Sequence, residues 1–123
     1  MLEPLSGYLM LTQKLFENGA VYGEGRESSP NDEDAKPVSW IVDRLTKAWG
    51  ESASSVRDYG DHPHEVHYLK LDCSKAKMRL NWYPRWHLDE TLVAIVDWHR
   101  AYQAGKNMRD FSLGQIQHYV NGR

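Results

Sequence analysis

A single cysteine, Cys73, stands in this sequence, so no disulfide can form within the chain, and its cysteine usage fits a reducing, cytoplasmic setting. Long apolar runs are missing. Nothing approaches the roughly 20 residues of a membrane-spanning helix or the layout of a signal peptide, and no membrane partner is expected. An excess of charge of one sign is also missing: 15 basic residues face 17 acidic ones, for a net charge of -2. No global field therefore favours nucleic acid, and no nucleic-acid partner is expected. No glycine-rich dinucleotide fingerprint follows a strand-like segment, and internal repeats and low-complexity runs are absent. The 123 residues leave room for one domain, spanning 1–123, and a two-domain enzyme is not expected within them.

What is present is ordinary globular material, 41% hydrophobic and 26% charged. Leu5, Tyr8, Leu9, Thr12, Leu15 and Phe16 recur at helical spacing before Asn18-Gly19, which predicts an amphipathic helix over 4–18. Ala20-Val21-Tyr22 reads as a possible short strand, and glycine, serine, proline and the acidic run Asn31-Asp32-Glu33-Asp34 make 23–37 a long loop. Val38, Ile41, Val42, Leu45, Ala48 and Trp49 predict a second helix that closes at Gly50. Short extended pieces follow across 51–72, including Tyr68, Leu69 and Leu71. Asp72 is placed to cap a short helix from Ser74 to Leu80, which Pro84 keeps from continuing. Helices over 88–104, with Leu88, Leu92, Ile95, Val96, His99 and Tyr102 on one stripe, and over 112–121, with Leu113, Ile116 and Val120, complete the chain. The expected fold class is α+β, mostly helical, with strands too few and short for an independent sheet.

The densest polar feature is Asp61-His62-Pro63-His64-Glu65-Val66-His67. Three chemistries compete for it: a metal site, an anion-binding turn and a solvated loop. The metal reading is the weakest, because His64-Glu65-Val66-His67 lacks the H-E-x-x-H spacing that sets two histidines on one helical face. The acidic run at 31–34 has neither the central glycine nor the twelfth-position glutamate of a calcium loop, and suits a helix N-terminus better. Arg79, Trp82, Tyr83, Arg85 and Trp86 mix cations and aromatics as a single-strand nucleic-acid platform does, but the acidic balance favours core packing with an arginine rim. His99 is read as a core histidine. Tyr102-x-x-x-Lys106 matches a tyrosine–lysine catalytic pair only by accident, since Gly105 falls where the helix must end. Cys73 has no supporting basic motif and is given no nucleophilic role.

Several blocks, taken together and in order, resemble one family. They are Leu2-Glu3-Pro4-Leu5-Ser6-Gly7-Tyr8-Leu9, Pro30-Asn31-Asp32-Glu33-Asp34-Ala35-Lys36-Pro37-Val38, Gly60-Asp61-His62-Pro63-His64-Glu65, Tyr68-Leu69-Lys70-Leu71-Asp72-Cys73-Ser74-Lys75-Ala76 and Leu80-Asn81-Trp82-Tyr83-Pro84-Arg85-Trp86. Nearly the whole chain is similar to the C-terminal part of the CDP-glucose 4,6-dehydratases, extended short-chain dehydrogenase/reductases. The resemblance implies an enzyme that oxidises C4 of the hexose with bound NAD, eliminates water across C5 and C6, and returns the hydride to C6. In that family the NAD fingerprint and catalytic residues belong to an N-terminal Rossmann domain with no counterpart here. The implied role of this chain is the mostly helical subdomain that closes over the nucleotide of CDP-glucose, without NAD, a metal, catalytic residues or turnover of its own. By the same resemblance Asp61, His62, Pro63, His64 and Glu65 take the place of a nucleotide-contacting loop. One stretch departs from the pattern: Arg26-Glu27-Ser28-Ser29 stands where an aromatic-Asn-aromatic-Gly segment is usual, and Glu27 brings negative charge toward the expected diphosphate. Helix faces normally covered by the Rossmann domain are expected to drive self-association.

Overall fold

The computed structural model describes residues 1–50, 52–60 and 71–122. Among the described residues five helices carry the fold: α1 (Leu2–Asn18), α2 (Val38–Trp49), α3 (Ser74–Leu80), α4 (Leu88–Gln103) and α5 (Met108–Asn121). Single 3-10 turns lie at Gly19–Tyr22 and Asp32–Asp34. Among the described residues there is no strand, which corrects the α+β expectation toward an all-helical architecture there. Ala20-Val21-Tyr22 is part of a 3-10 turn because Gly19, at φ 66°, ends α1 and lets the chain curl on itself. Tyr68 and Leu69 lie outside the described residues, and Leu71 is irregular.

Helix boundaries follow local chemistry. Gly50, at φ 101°, stops α2, and Asn81, at φ 54°, stops α3 in the left-handed conformation that asparagine tolerates. Cys73, not the expected Asp72, occupies the N-cap of α3, and Asp72 stands one residue before it, where its Oδ1 accepts the Ser74 N–H at 2.8 Å. α5 begins four residues before the expected position, because the Asn107 side chain accepts the N–H groups of Arg109 and Asp110.

Two packing centres result. α1 packs on α3, with Ala76, Leu80 and the 2% exposed Trp82 at the centre and Met10, Leu11 and Tyr22 around them. α4 packs on α2 and α5 and buries Leu92, Val96 and Ala101. The helix expected at the N-terminus is present, but its buried face is the other one. Leu5, Tyr8, Leu9, Leu15 and Phe16 are exposed, while Gly7 is buried and Glu3, Ser6, Met10 and Leu11 are half-buried. Gly7 is the reason: a Cβ there would sit 2.9 Å from Ser28 Oγ and 3.4 Å from Trp82 Nε1. The contact that a Cβ would crowd is the one with Ser28, while the indole packs at van der Waals distance and Ser6 accepts the Trp82 Nε1 proton at 2.9 Å. α5 repeats the inversion, with Leu113, Ile116 and Val120 exposed and Tyr119 buried.

Candidate functional site

Asp61, His62, Pro63, His64 and Glu65 lie outside the described residues, as does the His64-Glu65-Val66-His67 metal reading. What the structure describes is the ground on either side. On one side Gly60 donates its N–H to Asp58 Oδ1 at 2.8 Å. On the other, Leu71–Ser74 meets Ser29, Pro30 and Asp32 around a cleft of about 380 Å³. Cys73 is buried in its wall, and its Sγ accepts the Ser29 N–H at 2.9 Å and lies 3.0 Å from Ser29 Oγ. Lys77, one turn into α3, supplies a cation at the edge and donates to Asn31 Oδ1 at 3.3 Å. The cleft thus offers the hydroxyls of Ser29 and Ser74 and the Lys77 ammonium beside the carboxylates of Asp32 and Asp72, a polar lining of mixed charge.

The departing stretch 26–29 is built into this wall. Arg26 turns back to donate to the carbonyls of Tyr22 and Glu24. Ser28 fills the space over Gly7. Glu27 is exposed. Below the loop, Glu24 holds α3 through Lys75 Nζ at 3.1 Å and Arg79 Nη1 at 2.7 Å. The hydrogen bond from Lys75, with the Arg79 charge next, keeps the Glu24 carboxyl below the usual range.

The acidic run does reach a helix N-terminus, but one more than fifty residues away. Asp34, 8% exposed, accepts the Leu88 N–H through Oδ1 at 3.0 Å and meets His87 Nδ1 through Oδ2 at 3.3 Å. Among the described residues Glu33, Asp34 and His87 bring three possible ligand atoms within 4.8 Å of one another. Both Asp34 oxygens are already engaged at the positive end of the α4 dipole, so the group is a helix cap.

The aromatic–arginine tract is structural. Trp82 is core, Arg79 pairs with Glu24, and Arg85 donates to the carbonyls of Tyr119 and Val120. A residue that the sequence did not single out holds this turn: Glu3 Oε1 accepts the N–H groups of Arg85 and Trp86 at 2.9 and 2.8 Å, and Oε2 accepts the Tyr119 hydroxyl at 2.8 Å. Its signal was a carboxylate inside a block of apolar residues at the start of a helix. Tyr102 stacks on Trp98 while Lys106, beyond the bend at Gly105, lies over Phe111, so the two do not form a pair. His99 is exposed and meets Trp98 edge to face, which corrects its placement in the core.

No protein-family profile matches the chain. A curated protein does: the CDP-glucose 4,6-dehydratase of Salmonella typhimurium is 51% identical over 121 residues, which is 98% of this chain. The chain is a close relative of CDP-glucose 4,6-dehydratase. It spans about a third of that protein's length, 34%. Among the described residues no helix is long and apolar enough to cross a membrane.

Proposed function

We propose that this chain forms the C-terminal, nucleotide-sugar-binding subdomain of a CDP-glucose 4,6-dehydratase of the extended short-chain dehydrogenase/reductase type, working in the cytoplasm. The observation that carries the proposal is the 51% identity to that enzyme across nearly the whole chain. The polar cleft between 29–32 and 71–77 supports it, because it is lined by residues of the 30–38 and 68–76 blocks that carry the resemblance. In this reading those residues contact the CDP moiety, the histidines and backbone N–H groups facing its phosphate oxygens. Glu27 is exposed, between Arg26, which is tied to the Tyr22 and Glu24 carbonyls, and Ser28, which sits over Gly7. NAD and the dehydration chemistry belong to the remainder of such an enzyme. This chain supplies grip on the nucleotide and has no turnover alone.

Isothermal titration with CDP-glucose and with CDP tests the proposal. Weak binding that fades with salt and is lost in the His62→Ala/His64→Ala double variant is expected. Saturating ligand with neither heat nor chemical-shift change in the 29–32 and 71–77 segments would sink it.

A second reading has its own observation. α1 and α5 together expose Leu5, Leu9, Ile116 and Val120 along one groove, and Tyr8 and Phe16 of α1 are also exposed, at 62% and 92%. This favours an interaction module derived from the same enzyme, which associates through that face whether or not it holds nucleotide.

A further inference from the structure

α4 and α5 enclose a second groove of about 700 Å³ on a different face. Its floor is apolar, made by Trp86, Val93, Ala94 and Phe111. Its rim is acidic: Asp89, Glu90, Asp97 and Asp110 line it, and among the described residues no lysine or arginine does. Asp89 is neutralised in part by Arg44 at 3.0 Å, and Glu90 accepts the His87 N–H at 2.9 Å. The rim still carries net negative charge, because among the described residues Arg44 is the one cation paired with its four carboxylates. The acidic stretch ends at Phe111, over which Lys106 lies.

One residue in the groove has no role in the chain's own packing. Gly114 sits mid-helix in α5, where glycine is less helix-stabilising than alanine, and its φ is not positive. A Cβ built there meets nothing within 4 Å. Gly7, the other glycine inside a helix run, has Ser28 Oγ 2.9 Å from where a Cβ would sit, so the contrast is sharp. The effect of Gly114 is to leave the groove floor open for close approach by another backbone.

We infer that this groove receives a short basic amphipathic helix from a partner protein. Groove residues repeat at helical spacing over two turns on each side, Glu90 to Asp97 and Asp110 to His118, which matches two to three turns of a docked helix. Apolar side chains of that helix cover Trp86 and Phe111, its backbone crosses Gly114, and its lysines or arginines meet the rim carboxylates. The four carboxylates specify a cationic occupant and oppose an acidic one.

The test titrates the whole chain with two fluorescein-labelled amphipathic model helices of one pattern, leucine with lysine and leucine with glutamate, read by anisotropy and amide chemical shifts. The lysine helix is expected to bind at least about tenfold more tightly, with shifts at the Trp86 indole and across 89–97 and 110–118. Gly114→Leu, whose Cβ meets nothing within 4 Å, puts a side chain on the floor and is expected to abolish binding while leaving the melting temperature unchanged or higher. Asp97→Lys, at an exposed position, is expected to weaken binding several-fold and serves if the glycine variant fails to fold. Equal binding of both helices, shifts confined to the α1–α5 groove, or binding indifferent to both variants would overturn the inference. So would sedimentation showing that Gly114→Leu abolishes self-association, since the groove would then belong to a second copy.

Discussion

Glu3 and Tyr119 show how much one side chain can organise. The Glu3 carboxylate accepts two backbone N–H groups and a phenol, and so joins the first helix, the 84–86 turn and the last helix. Glu3→Ala leaves these donors without their acceptor and is expected to cost about 3 kcal/mol in urea denaturation. The Tyr119 hydroxyl is pushed up to about 12, chiefly by burial, with the Glu3 charge adding and the hydrogen bond to Ser6 opposing. Its folded value lies above the ordinary 10.0, so its stabilising effect is complete below pH 10 and fades as pH rises from 10 toward 12. The loss reaches at most about 2–3 kcal/mol over that window. Comparing the pH dependence of unfolding with Tyr119→Phe isolates the effect, since the variant lacks this slope; equal slopes above pH 10 would refute it. Gly7 makes a complementary case. Gly7→Ala should destabilise by about 1–2 kcal/mol despite the better helix propensity of alanine, because the new methyl meets Ser28 Oγ at 2.9 Å. Adding Ser28→Ala should recover part of the loss in a double-mutant cycle.

At the scale of elements, the caps decide where helices begin and how they are tied together. Asp34→Ala removes the acceptor for the Leu88 N–H and is expected to cost about 1–2 kcal/mol, with faster amide exchange in the first turn of α4 as its local signature. An unchanged exchange rate there would show that the cap is not stabilising. Helix existence was legible from the apolar spacing in α1, α2, α4 and α5 and from flanking residues in α3, and Gly50, Asn81 and Gly105 mark the ends. The start of α5 was legible too, in Asn107-x-x-Asp110, a cap followed three residues later by a carboxylate, yet the apolar stripe drew attention to 112. Asp34 could not be assigned its partner from sequence, because a backbone N–H more than fifty residues away carries no residue-type signature. The facing of α1 was illegible for a related reason. A rule that sends leucines inward fails where Glu3, Ser6 and Gly7 form a hydrogen-bonded, close-packed face and the leucines are left on the other side. The cleft wall was partly legible: the 30–38 and 68–76 blocks were singled out separately, but nothing in either predicts that Ser29 meets the Cys73 thiol.

For the molecule as a whole, two helices leave apolar surface exposed: Leu5, Tyr8, Leu9 and Phe16 on α1, and Leu113, Ile116 and Val120 on α5. Such a face is stabilised by association, whether with the rest of a dehydratase or with a second copy, and a stable contact hides roughly 800 Å² on each partner. In isolation the chain is expected to self-associate in sedimentation equilibrium as its concentration rises. Leu9→Glu with Phe16→Glu should return it to monomer and leave thermal stability nearly unchanged, because neither side chain is in the core, at 72% and 92% exposure. A wild-type chain that stays monomeric at millimolar concentration would remove the association reading, while leaving nucleotide binding beside the 29–32 and 71–77 cleft to be judged by its own titration.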